Sequence, residues 1–510
     1  MKKKLFAGLA TVAVLAGGAY IWQSYQNYQK ESSHSGKLNV VTTFYPVYDF
    51  TKAIVGDQGE VSLLIGAGTE VHDYQPTTKQ ISQIEDADAF VYMDSNLETW
   101  AKDVTSSVDK KKTAIIKSTG DMLLMAGTEE EGHDHGGEGH HHDYDPHVWL
   151  SPSRSIKLVE NIRDGLTKKY PKYKERFTKN AAAYIEKLQA LDKEYATALT
   201  AAKQKNFVTQ HAAFGYLALD YGLTQIPITG VTAESEPSAQ RLASLSSYIK
   251  ENEIKYIYFE ENASAKVAAT LADEAGVKTA VLNPIESLTT KELKAGEDYF
   301  SVMRENLKAL RLTTDVEGKS IAPEEDTSKT VANGYFEDKK VTNRSLSDWT
   351  GNWQSVYPYL QDGTLDEVWD YKSKLSKGAK TAADYKAYYT TGYKTDVEKI
   401  IIDGKKNTVE FIQNGTSHKF TYKYVGYNIL TYQKGNRGVR YLFETNDANA
   451  GEFKYIQFSD HNISKTDAEH FHLFWGSTSQ EEILKEMDNW PTYYPSSMTG
   501  HEIAQEIVAH

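Results

Sequence analysis

The sequence predicts a multidomain protein in which two α/β lobes, joined by a long helix, are followed by an antiparallel β-barrel domain. Short apolar strands alternate with helical patterns between residues 38 and 311, which is typical of parallel sheets flanked by helices. Tyr173 to Ala202 contains no Gly or Pro and predicts one long helix. From residue 399 onwards, short strand-like runs are separated by Gly-containing turns, which predicts antiparallel sheet.

The composition restricts the possible partners and metal ligands. The chain of 510 residues carries 57 basic and 70 acidic residues, a net charge of −13, which argues against nucleic acid and favours cation capture. It has no cysteine, so a metal ion can be held only by His, Asp or Glu.

The N-terminus predicts export. Lys2, Lys3 and Lys4 precede residues 5–22, which carry no charge, and a polar tether extends to residue 37. Gly18 stands where a lipoprotein signal would have its acceptor Cys, so lipidation by that route is not expected. An uncleaved membrane anchor is favoured over a secreted form, because the apolar run is about long enough to span a bilayer.

The first lobe is predicted from three strands, at residues 38–44, 61–65 and 87–93, with helices at residues 47–55 and 78–86. Ligands of parallel sheets bind beyond the carboxyl ends of the strands. His72 follows the second strand and is therefore a candidate ligand.

The predicted long helix repeats large apolar residues on one face, from Phe177 to Leu199, and could join two lobes as a rigid strut; a surface helix of one lobe is the alternative. The second lobe has predicted strands at residues 206–209, 254–260 and 278–282. His211 follows the first of these strands and Glu286 follows the last, so both also occupy strand-end positions.

The stretch from Glu129 to Pro152 is rich in His and acidic residues and runs into the apolar segment Asp145–Pro152. Interspersed His and acidic residues suit zinc, whereas a purification tag or a solvated acidic segment would be the plainer interpretation. The expected accessory metal-binding loop contains His133, His135, His140, His141 and His142. His147 lies in the apolar run that follows and is expected to belong to the folded part, where His72, His147, His211 and Glu286 would complete a tetrahedral site.

Four segments carry a family resemblance: EVHDYQPT, DPHVWLSP, TQHAAFGYLA and LNPIES resemble the metal-binding segments of the zinc solute-binding proteins of ABC importers. The resemblance covers about residues 38–311 and implies two α/β lobes with Zn²⁺ bound by the four residues named above. It also implies an ABC permease in the membrane as partner. Glu260 and Glu261 are nearby acids that could replace Glu286 as the carboxylate ligand.

A linker is predicted at residues 312–332 and a second metal-binding domain at residues 333–510. Predicted strands are at residues 399–402, 408–412, 419–425, 428–432, 440–444 and 455–458, with Trp353 in a helical or irregular segment before them. His470 and His472 would share one face of a strand, with His461 on an adjoining loop. The segment DHNISKTDAEHFHLFWG resembles the metal-binding end of ZinT-type proteins, which implies a calycin-like barrel binding zinc through these three histidines.

The combined interpretation is a non-catalytic, extracellular zinc-binding component of an ABC importer at a Gram-positive cell surface. The alternative is a zinc-dependent hydrolase using the open three-histidine site, although HExxH is absent and His501-Glu502-Ile503-Ala504-Gln505 lacks its second histidine. An adhesin is a third possibility that no sequence feature supports.

Overall fold

The computed structural model describes residues 37–127, 144–230, 238–260, 266–319, 331, 334–432 and 435–509. The predicted anchor at residues 5–22, the five histidines between residues 133 and 142, and Glu261 lie outside this part of the chain. The described residues form two compact units: those within Met1–Gly120, Ser155–Ala190 and Ile285–Val302 form the first, and those within Asp121–Arg154, Leu191–Pro284 and Met303–His510 form the second.

The first unit contains a four-stranded parallel sheet. Its strands and intervening helices are β1 Leu38–Thr42, α1 Tyr45–Val55, β2 Gly59–Leu63, α2 Thr78–Asp86, β3 Ala89–Tyr92, α3 Ala101–Ser107 and β4 Ala114–Lys117, in the sheet order β2-β1-β3-β4. Helix α2 begins at a capping box in which Thr77 and Gln80 bond reciprocally, which fixes where the chain after His72 turns into helix.

Two helices follow, α4 Pro152–Lys169 and α5 Lys174–Thr200. Helix α5 agrees with the predicted long helix, and its apolar face is buried at Phe177, Leu188, Leu191 and Tyr195. Its residues up to Ala190 belong to the first unit and the remainder to the second.

The second unit contains another parallel sheet. Its elements are β5 Asn206–Thr209, α6 Gly215–Asp220, β6 Thr224–Pro227, α7 Ala239–Glu251, β7 Tyr256–Phe259, α8 Lys266–Ala275 and β8 Lys278–Val281, in the sheet order β6-β5-β7-β8. Helix α9 Thr290–Ala295 belongs to the first unit, and helix α10 Tyr299–Thr314 begins in the first unit and ends in the second. The strands β4 and β6, which the sequence did not predict, are sheet edges of four residues each, and β6 ends in a proline.

The second unit also contains a curled, nine-stranded antiparallel sheet, a half-barrel consistent with a calycin-like fold. Its elements are β9 Gly351–Ser355, α11 Tyr357–Gln361, α12 Asp366–Leu375, α13 Ala382–Tyr393, β10 Val397–Asp403, β11 Thr408–Gln413, β12 Thr416–Thr421, β13 Lys423–Thr431, β14 Arg437–Glu444, β15 Tyr455–Ser459, β16 Phe471–Gly476, α14 Gln480–Leu484, β17 Thr492–Pro495 and α15 Gly500–Ala509. The sheet order is β12-β11-β10-β9-β17-β16-β15-β14-β13. The aromatic rings of Trp349, Tyr441 and Phe458 pack together in its core.

Two details of this sheet correct the sequence prediction. The run 419–425 was expected to be one strand, but the chain changes strand at Tyr422, whose hydroxyl donates to the carbonyl of Phe453 while its ring is buried. Trp353 lies in strand β9 and not in a helical or irregular segment, because its ring is needed in the core against Phe471. Within the described part of the chain, no helix combines the length and the apolar composition that crossing a membrane requires.

Candidate metal centres

In the first unit, His72 and Glu286 lie side by side. The His72 Nε2 atom is 3.5 Å from Glu286 Oε1. The Glu70 carboxylate accepts the backbone N–H groups of Val71 and His72 at 2.9 and 3.0 Å, which fixes the turn that carries His72. Burial raises the pKa of Glu70, and the nearby Glu286 carboxylate raises it further, because both disfavour a second negative charge there.

The segment that carries Glu286 has a constrained backbone. Ile285 is fully buried and has a φ of 57°, a left-handed conformation that β-branched residues rarely adopt. The hydroxyl of Ser287 accepts the backbone N–H of Gly68 at 3.1 Å, which ties this segment to the chain beyond β2. Such local strain is often found at binding sites, where the surrounding structure holds a side chain in one orientation.

In the second unit, His147 and His211 face each other with ring centroids 5.3 Å apart, and both are buried. Asp145 Oδ1 accepts from the His147 backbone N–H at 2.9 Å and from its Nδ1 at 2.7 Å. This contact favours the Nδ1–H tautomer, which puts the ring lone pair on Nε2, as a metal ligand requires.

His211 is oriented in the same way. Its Nδ1 bonds Glu260 Oε1, and its carbonyl accepts from Gln225 Nε2 at 2.8 Å. Glu260, which the sequence offered as an alternative carboxylate ligand, therefore contacts the histidine ring and orients it. A paired carboxylate on a ligating histidine is common in zinc sites and also raises the basicity of the ring. Chain spacing alone could not reveal this role, because His211 follows β5 and Glu260 follows β7.

In the nine-stranded sheet, His461, His470 and His472 come together. One ligand atom of each lies within 4.8 Å of the others. His461 follows β15 with a φ of 63°, His470 precedes β16, and His472 lies within it. The Thr492 hydroxyl donates to the carbonyl of Trp490 at 2.9 Å, so it accepts from His472 Nδ1 at 2.8 Å, which again leaves Nε2 as the ligand atom.

A buried ionic cluster supports the His461 turn. The Arg344 guanidinium donates to Asp460 Oδ1 at 2.6 Å, to Asp348 Oδ2 at 2.9 Å and to the carbonyl of Thr466 at 2.8 Å. Desolvation lowers the pKa of His461, and the negative charge of Asp460 opposes that shift. Sequence reasoning did not identify Arg344, although its spacing of four residues from Asp348 was visible.

Comparisons with known proteins identify the class. Residues 40–312 match the family model of ZnuA, the zinc-uptake complex component A, periplasmic. Residues 327–510 match the family model of ZinT (YodA), described as periplasmic lipocalin-like zinc-recruitment, and are called the ZinT-like domain below. The two matches together define a solute-binding protein of a zinc-uptake system with an appended ZinT-like domain.

The relatives make the assignment more specific. The chain is 62% identical to the zinc-binding protein AdcA of Streptococcus pyogenes serotype M6, over 100% of both chains. It is 65% identical to the zinc-binding lipoprotein AdcA of Streptococcus pneumoniae serotype 4, over 93% of this chain and 95% of that one. The crystal structure of Zn(II)-bound AdcA from Streptococcus pneumoniae matches with a TM-score of 0.82 at 63% identity, over 93% of this chain and 100% of that chain. The chain belongs to the AdcA family of zinc-binding proteins, which gives no support to the hydrolase alternative.

Proposed function

We propose that this chain captures Zn²⁺ outside the cell and delivers it to an ABC permease, and that His72, His147, His211 and Glu286 together bind the delivered ion. The observation that carries this proposal is the orientation of His147 and His211. Each ring has its Nδ1 bonded to a carboxylate, so each Nε2 carries the lone pair that zinc requires. His72 and Glu286, 3.5 Å apart, would supply the other nitrogen and the oxygen.

The chemistry of these four side chains favours zinc. Three imidazoles and one carboxylate give a tetrahedral N3O set in which every position is taken by protein. Such a set has no position for an activated water, which supports a binding role without catalysis. Imidazole ligands also favour zinc over manganese, in accordance with the divalent series.

The three histidines of the ZinT-like domain are proposed as an accessory zinc site. Three nitrogens leave one coordination position to solvent, so an ion bound there can be passed on more readily than one enclosed by four protein ligands. The accessory loop with His133, His135, His140, His141 and His142 is proposed as a further, weaker zinc-binding segment, on its composition of interspersed His and acidic residues.

The test of the main site is the zinc content of variants. His72→Ala and His211→Ala should each lose the tightly bound ion, because a missing ligand of a tetrahedral zinc site is not easily replaced. His418→Ala is a matched control, since His418 lies on β12 and belongs to neither candidate ligand group. All variants would be made in a chain in which His461, His470 and His472 are changed to Ala. Their zinc content would be compared by elemental analysis after competition with a strong chelator. Equimolar zinc in both ligand variants would contradict the assignment.

Location and partner follow as further proposals. The family is periplasmic or extracellular, and the pneumococcal relative is named a lipoprotein. We propose that residues 5–22 hold this chain at the outer face of the membrane, since Gly18 stands where a lipid-acceptor Cys would be. Mass spectrometry of protein from native membranes should then show an intact N-terminus without diacylglycerol. A mature chain that begins near Tyr20 or later would rule out the anchor.

A further inference from the structure

The last helix of the ZinT-like domain contacts a segment far away in the chain. The side-chain amide of Gln505, on α15, forms two hydrogen bonds with one residue: its Oε1 accepts from the Leu124 N–H and its Nε2 donates to the Leu124 carbonyl, each at 2.7 Å. The neighbouring Glu506 accepts from the Tyr144 hydroxyl at 3.1 Å. Helix α12 contributes Tyr371, whose hydroxyl donates to the carbonyl of Leu123 at 2.7 Å.

The segment of residues 123–126, which these helices contact, is hydrogen-bonded directly to Asp145, the partner of His147. Ala126 and Tyr144 form an antiparallel bridge, and the Asp145 N–H donates to the carbonyl of Met125 at 2.9 Å. The Tyr216 hydroxyl joins the same two residues, because it accepts from the Met125 N–H at 2.8 Å and donates to the Asp145 carbonyl at 2.7 Å. The backbone position of Asp145 is therefore set by a segment that α15 and α12 hold.

A charged group strengthens the same interface. The Arg154 guanidinium lies over the rings of Tyr216 and Tyr371, with centroid distances of 4.8 and 4.7 Å. It also pairs with Asp220 through two hydrogen bonds of 2.7 and 3.0 Å. Lys374, from α12, donates to the same Asp220 carboxylate at 2.9 Å. Planar stacking and bidentate pairing require a defined geometry, so these contacts indicate a specific interface between α12 and the chain around Arg154.

We infer that the ZinT-like domain has a second role besides its own metal site: through Gln505 and Glu506 it positions the Asp145 carboxylate that orients His147. The inference rests on the proposed function, in which His147 is a zinc ligand. Gln505 and Glu506 are positioning residues, since they act on the ligand through residues 124–126 and 144–145. Weakening this contact lowers the affinity of a site on which neither residue has an atom.

The test measures zinc at the proposed four-ligand site alone. The full chain would carry Ala at His461, His470 and His472 and also at His133, His135, His140, His141 and His142, so that neither proposed accessory site binds zinc. In this background, the double variant Gln505→Ala/Glu506→Ala should bind Zn²⁺ about fivefold more weakly in competition with a fluorescent chelator. This is less than the roughly 10–100-fold effect of losing a direct outer-shell partner.

Three comparisons distinguish positioning from general damage. Glu506→Gln keeps an oxygen acceptor for Tyr144 and should retain the parent affinity, whereas Tyr144→Phe removes the same hydrogen bond from the other side and should weaken binding. Gln413→Ala is the matched control, because the Gln413 side-chain amide donates to Asp396 and Glu452, which have no part in the Leu124 contact. Hydrogen exchange at the Leu124 amide reports directly whether the Gln505 contact is broken.

The outcomes separate the two proposals. If His147→Ala binds zinc as tightly as the parent, the proposed ligand is wrong and the inference fails with it. If His147→Ala weakens binding while Gln505→Ala/Glu506→Ala and Tyr144→Phe leave the affinity unchanged, the positioning role is overturned and the function stands. If the double variant does not fold, Tyr144→Phe decides the question on its own.

Discussion

Asp145→Ala is the sharpest test of how the proposed four-ligand site is organised. Asp145 Oδ1 holds His147 twice, through the backbone N–H at 2.9 Å and through Nδ1 at 2.7 Å. Removal of the carboxylate leaves the His147 ring able to rotate and to adopt the tautomer with the proton on Nε2. The loss of an outer-shell partner typically lowers metal affinity about 10–100-fold. That range corresponds to about 1.4–2.7 kcal/mol of zinc-binding free energy.

Two further variants set the scale of this effect. Asp145→Asn keeps a carbonyl oxygen as acceptor for both bonds, so its affinity should fall by less than about tenfold, below that range. Gly215→Ala perturbs Asp145 without changing it, because a Cβ at residue 215 would lie 2.9 Å from Asp145 Oδ2 and displace the carboxylate. Its effect should lie between those of the two Asp145 variants.

The assay is competition between the protein and a fluorescent zinc chelator, with the three histidines of the ZinT-like site and the five histidines of the accessory loop changed to Ala. Far-ultraviolet circular dichroism and the unfolding midpoint without metal would show that each variant is folded. Parent-like zinc affinity in folded Asp145→Ala would refute the argument, because it would mean that the Nδ1 contact has no part in preparing His147 for the ion.

Three other predictions follow from the structure. Burial raises the pKa of Glu98 to about 7, so the free energy of unfolding should fall by about 3 kcal/mol as pH rises from near 4 to 7. In urea unfolding, the Glu98→Gln variant should show a weaker dependence of this free energy on pH across that range. Arg344→Met should destabilise the ZinT-like domain by about 3–5 kcal/mol, because two buried carboxylates lose their partner, whereas Arg437→Met, at a more exposed pair, should change unfolding far less. Changing His461, His470 and His472 to Ala, or deleting the accessory loop, should slow growth only when zinc is chelated. Normal zinc uptake by a strain whose only copy of this protein lacks His72, His147 and His211 would instead show that the ZinT-like domain is the delivering domain.

The sequence located the candidate ligands because their positions follow from strand order. His72 and His211 come after the carboxyl ends of parallel strands, where ligands of such sheets bind, and a short apolar run indicates the strand before each one. The antiparallel sheet was predicted for a similar reason, since turns such as Asn414-Gly415, both with positive φ, separate its strands. Strand ends and tight turns depend on residues that are close in the chain, so a local sequence pattern can predict them.

What the sequence could not give is the environment of each ligand. The contact between Asp145 and His147 is the exception, because these residues are only two positions apart in the chain. Glu260, which follows β7, contacts His211, and Thr492, on β17, contacts His472; only the fold brings these pairs within bonding distance. The edge strands β4 and β6 were missed because half-exposed strands of four residues lack a long apolar run. The split at Tyr422 was missed because the residues on both sides have the same alternating pattern.

The pairing of Ala126 with Tyr144 has a consequence for how members of this family can differ from one another. These two residues hold the chain together immediately before and after residues 128–143. The free-energy cost of closing a chain segment grows only with the logarithm of its length, by about 0.6 kcal/mol for each doubling. Insertions and deletions between the paired residues should therefore be tolerated, so that the number of histidines there can change while the fold on either side stays the same.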